Sequence, residues 1–342
     1  MTQRLKVAER SDIYIGRAEE LLPTLLPEGR VIVITDANID RRQHSLLRGM
    51  EFIMIGTGES IKTLHTVEMI YRRFIELGID RSCFVLGIGG GIVTDIAGFV
   101  ASTYMRGLRF GFISTTLLGQ VDASLGGKNG VNLDGYKNMV GTFNQPQFVI
   151  CDPMLLDTLP EREFRAGLAE IIKAGIIADS NLFERIERSS FEELRGDHKL
   201  LGEIILAAIK VKAEIVGRDE RESGERRKLN LGHTFAHAIE KLSTEMNHGE
   251  AVAVGTAIVA RLAVHLGILS TDNADRIEHL LAAMGFTLTP PLPVKRLAAA
   301  ISKDKKVDGD SLHIVLPSGI GNCEVRKMSI KEISTLVDEI WQ

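Results

Sequence analysis

The sequence predicts an α/β N-terminal domain with a Rossmann-like parallel sheet over residues 1–154, then a mostly α-helical C-terminal domain over residues 155–342. Three observations lead there. Short apolar runs alternate with helix-length segments before Pro153, the pattern of a sheet covered on both faces. Beyond Pro153 the texture is almost entirely helical. A glycine triplet, Gly89-Gly90-Gly91, closes one apolar run and opens a helix, as at the ligand end of many open α/β sheets.

The strands read in order as Val31–Thr35, Phe52–Ile55, Phe84–Ile88, Gly111–Ser114 and Phe148–Cys151. Each is a continuous apolar stretch, as expected of strands buried on both faces. Ile61–Leu77 and Ile92–Tyr104 are the intervening helices. In the second half Arg162–Ala178, Leu200–Val216, Asn230–Lys241, Gly249–Leu266 and Thr271–Ala283 read as helices. Leu312–Leu316 and Asn322–Val325, joined through Pro317-Ser318-Gly319, read as a small hairpin. No internal repeat or low-complexity segment is evident.

Composition removes several function classes. The 342 residues carry a net charge of −4, are 44% hydrophobic and 25% charged, and hold 5% aromatics. There is no general basic field for nucleic acid or an anionic membrane, and little material for base stacking. The most apolar run, Ala251–Val264, is interrupted by Arg261 and too short for a membrane span. The N-terminal MTQRLKVAER lacks the apolar core of a signal peptide. Cys83, Cys151 and Cys323 are the three cysteines, far apart and in apolar context, which suits buried thiols in a reducing compartment. A cytoplasmic protein is expected.

Three stretches carry possible chemistry. Around Gly89–Gly91 the spacing departs from the dinucleotide fingerprint, since Ile92 stands where the third glycine belongs. A tight turn without a ligand fits the triplet equally well. Asp36 and Asn38 after one strand, and Glu59 and Lys62 after the next, tilt the reading toward a nucleotide. Ser114–Asn132 reads as a long polar loop anchored by Leu117, Leu118, Val121, Leu125 and Val131. A loop of that length is usually functional, and Lys128 and Lys137 would suit an anion. Finally, Leu229–Glu250 places His233 and His237 on one helix face, followed by His248-Gly249-Glu250. Converging imidazoles suggest a divalent metal, although Thr234 stands where a zinc protease has glutamate. A His237 that merely packs, leaving two ligands or none, fits the same spacing.

The segments GGGIVTDIAGF, TTLLGQVDASLGGKNGVN, KNMVGTFNQP, GLAEIIK, KAEIVGRDERESG and LNLGHTFAHAIE with HGE occur in the order seen in 3-dehydroquinate synthases. From about Asp36 to about Lys306 the chain resembles that family. The resemblance implies an NAD-binding α/β domain, a helical metal- and substrate-binding domain, and a homodimer. It implies Zn2+ (or Co2+) held by Glu170, His233 and His248, which leaves His237 as a substrate contact. It implies NAD contacts at Asp36, Asn38, Glu59, Lys62, Gly90, Gly91, Asp95, Thr115, Thr116, Asp122, Lys128, Lys137 and Thr158. For the substrate it implies Arg106 (reaching across the dimer), Lys128, Asn138, Lys173, Lys212, Arg226, Asn230, His237 and Lys306 or its neighbour Lys305.

The implied reaction converts 3-deoxy-arabino-heptulosonate 7-phosphate to 3-dehydroquinate and phosphate. It proceeds through transient oxidation by NAD, phosphate elimination, reduction and an intramolecular aldol. A substrate with a carboxylate and a phosphate accounts for many cationic groups in an acidic protein. Ser114, Asn129, Thr94, Ala166 and Ala236 depart from the usual family residues, but none removes a charge or a ligand. The competing readings are a sister sugar-phosphate cyclase (aminodehydroquinate, 2-deoxy-scyllo-inosose or epi-valiolone synthesis), a metal-dependent polyol dehydrogenase, and a non-catalytic binding module. The dehydrogenase would accumulate NADH. The binding module would have no need of Glu170, His233 and His248 together with the glycine loop.

Overall fold

In this computed structural model the apolar runs of the first half line up in one seven-stranded sheet. The structure describes residues 2–7, 10–301 and 311–341. Two units form, residues 1–160 and 161–342. The first contains β1 (Gln3–Val7), β2 (Ser11–Ile15), α1 (Ala18–Leu25), β3 (Val31–Asp36), α2 (Ala37–Arg42), β4 (Glu51–Ile55) and α3 (Leu64–Glu76). It continues with β5 (Phe84–Gly89), α4 (Gly91–Thr103), β6 (Arg109–Ser114), β7 (Lys128–Leu133), β8 (Tyr136–Phe143) and β9 (Phe148–Cys151).

Strand order across the sheet is β1-β2-β9-β6-β5-β3-β4. All neighbours are parallel except the antiparallel pair β1 and β2. Every residue of β5 is buried, which is why that strand reads as an unbroken apolar run rather than an alternating one. The chain leaves β3 for β4 on one side and returns to β5 on the other, so the order reverses between β3 and β5. The carboxyl ends of strands flanking such a reversal are where open α/β sheets collect ligands. Asp36 ends β3 and the glycine triplet ends β5.

Two local readings need correction. The helix expected from Ile61 begins at Leu64, because Thr63 is its N-cap and accepts a hydrogen bond from the Thr66 N–H at 3.3 Å. The segment read as a long anchored polar loop instead contains regular secondary structure. A π-helical turn spans Gly119–Ala123, and β7 and β8 then form an antiparallel hairpin. Leu133 pairs with Tyr136 across Asp134 (φ 49°) and Gly135 (φ 79°). Two successive left-handed residues make the tight hairpin turn that an Asp-Gly pair favours.

The second unit contains α5 (Glu161–Ala178), α6 (Ser180–Glu187), α7 (Phe191–Gly196), α8 (His198–Arg218), α9 (His233–Leu242), α10 (His248–His265), α11 (Thr271–Ala283) and α12 (Val294–Ile301). The antiparallel hairpin β10 (Ser311–Gly319) and β11 (Asn322–Ser329) and the helix α13 (Ile330–Ile340) complete it. The parallel-dominated sheet and the helical second half both match the expected fold class. Helix α10 is central. It is rich in alanine, glycine and valine, is buried on nearly all sides, and contacts α5, α9, α11, α13 and β10. The helix expected from Asn230 starts three residues later. Residues Glu225–Asn230 form a 3-10 turn, and Gly232 (φ 76°) turns the chain into α9.

Candidate active site

Three helices of the second unit meet through missing side chains. A Cβ on Gly249 of α10 would overlap the main chain of Ala166 in α5. A Cβ on Gly255 of α10 would come within 3.1 Å of the Ala236 nitrogen in α9, and one on Gly232 would lie 2.8 Å from the Thr256 nitrogen. The backbones therefore approach more closely than any other residue would permit. Glu170 of α5, His233 in the first turn of α9 and His248 in the first turn of α10 converge there.

One ligand atom from each of these three residues lies within 4.8 Å of the others, and among the described residues no other group of this kind occurs. Glu170 Oε1 is 3.6 Å from His233 Nε2 and 3.4 Å from His248 Nε2. The outer ring nitrogens are engaged elsewhere. His233 Nδ1 faces the Leu231 carbonyl at 3.1 Å, and His248 Nδ1 faces Glu240 Oε1 at 3.2 Å. A ring that donates outward through Nδ1 can give its Nε2 lone pair to a cation bound beside Glu170. A carboxylate and two imidazoles form a donor set well suited to zinc or a similar divalent ion, so the residues present fit a metal.

Charge in this centre is tightly paired. Lys173, one turn along α5 from Glu170, forms an ion pair with it, and both side chains are buried. Burial, reinforced by the Lys173 charge, holds His233 well below the usual imidazole range. Burial would also lower His248, but its bonds to Glu170 and Glu240 outweigh that and raise it to about 10. Placement at α10 comes from a capping box. Asn247 Oδ1 accepts from the Glu250 N–H at 3.0 Å, and Glu250 Oε2 accepts from the Asn247 N–H at 2.7 Å. Arg162 of α5 grips the same Glu250 carboxylate through Nε at 2.7 Å and Nη2 at 2.6 Å.

The other expected substrate residues of this unit surround these helices. Lys212 on α8 and Arg226 in the 3-10 turn are buried. Asn230 Nδ2 donates to Glu222 Oε1, and Arg226 Nη1 to the Glu220 carbonyl. The turn that presents them is organised by Asp219. Its Oδ1 accepts from the Ser223 N–H at 2.9 Å, and its Oδ2 from the N–H groups of Gly224 at 2.6 Å and Arg226 at 3.1 Å. The His237 ring lies edge-on to His233 with centroids 5.6 Å apart, so it stands beside the ligand group without joining it. Lys305 and Lys306 lie outside the described residues. Sequence reasoning passed over Glu240, although it follows His233 by two helical turns and so shares its face. It also missed the Asn247–Glu250 capping box, a recognisable spacing, and Asp219.

In the first unit the expected nucleotide contacts gather at the strand ends. Gly90 caps α4, and a Cβ there would lie 2.8 Å from Thr116 Cγ2. The Thr115 N–H donates to the Gly89 carbonyl at 3.0 Å, which holds the Thr pair against the glycine turn. The N-terminus of α4 thus presents backbone N–H groups beside hydroxyls, a setting that fits a dinucleotide's phosphates. Asp122 follows in the π-helical turn. Asp36 Oδ1 caps α2 by accepting from the N–H groups of Asn38 at 2.8 Å and Ile39 at 3.2 Å.

Lys62, buried, donates to Asp95 and to Asn138 Oδ1. Asn132 Nδ2 donates to Glu59 Oε1 at 2.8 Å, and Asn132 Oδ1 accepts from the Asn138 N–H at 2.8 Å. Glu59, Lys62, Asp95 and Asn138 are therefore one polar network that fixes the β7–β8 hairpin. Lys128 and Lys137 are exposed on that hairpin, and Thr158 Oγ1 accepts from Gln43 Nε2 at 3.1 Å. Arg106 is exposed, and it and Met105 both have left-handed backbones, with φ 68° and 49°.

Comparison with known proteins bears on what this arrangement does. The family model described as 3-dehydroquinate synthase N-terminal matches residues 52–166, and its C-terminal counterpart matches residues 167–307. A 3-dehydroquinate synthase of Halorhodospira halophila is 42% identical over 335 residues, covering 95% of each chain. One from Synechococcus sp. is 41% identical over 310 residues, covering 86% of this chain and 84% of the other. Among solved structures, the 2-epi-5-epi-valiolone synthase of Streptomyces hygroscopicus with NAD+ and Zn2+ bound has a TM-score of 0.87 at 28% identity, covering 99% of this chain and 97% of that one. A probable glycerol dehydrogenase from Sinorhizobium meliloti shares the fold at 15% identity and a TM-score of 0.67, covering 95% of this chain and 94% of that one. No helix among the described residues is long and apolar enough to cross a membrane.

Proposed function

This chain belongs to the 3-dehydroquinate synthase family, and we propose that it works as an NAD- and metal-dependent lyase. The reaction converts 3-deoxy-arabino-heptulosonate 7-phosphate to 3-dehydroquinate and phosphate. The observation that carries this reading is the 42% identity to a 3-dehydroquinate synthase over 95% of both chains.

Glu170, His233 and His248 hold zinc or cobalt; Asp36, Asn38, Glu59, Lys62, Gly90, Gly91, Asp95, Thr115, Thr116, Asp122, Lys128, Lys137 and Thr158 hold NAD. When bound, the cation supplies a Lewis acid at a substrate hydroxyl, and the nicotinamide supplies a reversible hydride acceptor. The chain's own residues bind and orient the substrate. Lys173, Lys212, Arg226 and Asn230, with Arg106, Lys128, Asn138 and Lys306 or Lys305, meet its carboxylate, phosphate and hydroxyls. Each charge-assisted hydrogen bond contributes about 1.5–3 kcal/mol, so a few suffice to fix both anionic ends. His237 and Lys173 exchange protons with substrate oxygens or hold them. Keeping one substrate conformer through oxidation, elimination, reduction and ring closure is the main task of these groups. The enzyme acts in the cytoplasm as a homodimer, with Arg106 reaching the partner's site. The exposed, left-handed backbone at Met105 and Arg106 supports that presentation.

A sister cyclase is the second reading, favoured by the fold match to the valiolone synthase at a TM-score of 0.87. One assay separates them. Purified protein with substoichiometric NAD+ and zinc should release phosphate from the heptulosonate phosphate with no net NADH. Accumulating NADH would identify a dehydrogenase, and absent turnover would favour a sister substrate.

A further inference from the structure

We propose that Glu240 is a positioning residue for the metal centre, holding the His248 imidazole so that its Nε2 faces Glu170. The proposal rests on reading Glu170, His233 and His248 as the ligands.

The geometry pins the His248 ring at both nitrogens. Nδ1 is 3.2 Å from Glu240 Oε1, and Nε2 is 3.4 Å from Glu170 Oε1. A ring held this way cannot flip without losing one contact, and only one tautomer donates outward while leaving Nε2 as a lone-pair donor. His233 is oriented differently, by the neutral Leu231 carbonyl. Of the two imidazoles, the one from α10 is the one that meets a carboxylate through Nδ1.

Glu240 is a costly residue at this place. Its side chain is only 7% exposed, and a carboxylate is seldom buried without a charge or hydrogen-bond partner. It lies seven residues after His233 on α9, so one helix face supplies a ligand and, two turns on, the support for a ligand on its neighbour. Charge gives a second reason. Lys173 offsets the charge of Glu170, and both imidazoles sit in first helical turns, where the backbone is partly positive. Glu240 restores negative charge beside a site meant for a dication. Carboxylates placed behind ligand imidazoles commonly act in this way.

The test compares full-length wild type, Glu240→Gln and Glu240→Ala after chelator treatment and dialysis. Zn2+ is titrated against a chelating dye, and the visible absorption of the Co2+ form is recorded. Glu240→Gln, which keeps the shape and an acceptor, should weaken zinc by about tenfold, and Glu240→Ala by up to about a hundredfold. The Co2+ bands should shift in both. A residue that only ties α9 to α10 would lower the melting temperature and leave affinity and spectrum alone, and that result overturns the proposal. Should the alanine variant fail to fold, the isosteric glutamine variant decides. If wild type itself binds no zinc, the ligand reading fails; if wild type binds and the variants match it, only the role of Glu240 fails.

Discussion

Gly249 of α10 lies directly against the main chain of Ala166 in α5. That contact sits one residue from His248 and one helical turn from Glu170, so it sets the separation of two proposed ligands. Gly249→Ala should force the helices apart, because the obstacle is backbone and cannot rotate away. Overpacking a tight contact costs about 1–3 kcal/mol. The variant should melt at lower temperature and bind zinc more weakly, as read by thermal denaturation and zinc titration. A variant with unchanged zinc affinity would show that the spacing is set elsewhere.

Removing Glu170 should abolish the metal and the activity together. Glu170→Ala also leaves Lys173 buried beside the vacated carboxylate position, and breaking a buried ion pair costs about 3–5 kcal/mol. Glu170→Gln keeps the shape and should lose less stability while still losing zinc. Metal analysis of the purified variants, phosphate-release assays and urea unfolding distinguish these effects. Full turnover without bound metal would refute the ligand assignment.

The strand and helix pattern was legible because burial on both faces leaves continuous apolar runs such as Phe84–Ile88, and because helix-length segments separate them. The β7–β8 hairpin was not read, although Asp134-Gly135 is a strong turn signal. Polar residues and glycines masked the strands, since Gly130 and Gly141 serve close backbone approach: a Cβ on either would lie within 2.7 Å of a carbonyl on the other strand. Spacing alone found His233, His237 and His248 but not Glu170. Spacing reports one helix at a time, whereas the site joins three helices distant in sequence. It also could not separate His233 from His237, which share a face; only the packing of α10 onto α9 decides which ring meets His248.

Lys62 should matter for the first unit's stability as well as for nucleotide binding. Burial raises Asp95 to about 6, against the opposing charge of Lys62. Because the folded value lies above the ordinary 3.8, this group's contribution is most favourable at low pH and declines as pH rises through about 6. Lys62→Met removes the opposing charge, so the decline should deepen and extend to higher pH. At pH 8 the variant should lose about 3 kcal/mol, and clearly less at pH 5. Lys62→Met with Asp95→Asn should recover much of that loss. Urea unfolding at the two pH values checks this; equal losses at both would remove Asp95 from the account.

Asp219 should act on substrate affinity through the turn that carries Arg226 and Asn230. Burial alone would raise its carboxyl. The N–H groups of Gly224, Ser223 and Arg226, with the Ser223 hydroxyl, outweigh that and hold it below the usual carboxylate range. Its stabilising effect is therefore complete above the ordinary value of 3.8 and is lost as pH falls through the lower folded value. Asp219→Ala should loosen residues 219–230 and present Arg226 in many orientations. KM for the sugar phosphate should rise by about tenfold, the worth of roughly one ordered hydrogen bond, while the helices around it stay folded. Hydrogen exchange should speed up across this turn but not in α8 or α10. An unchanged KM with a disordered turn would mean that Arg226 does not hold the substrate.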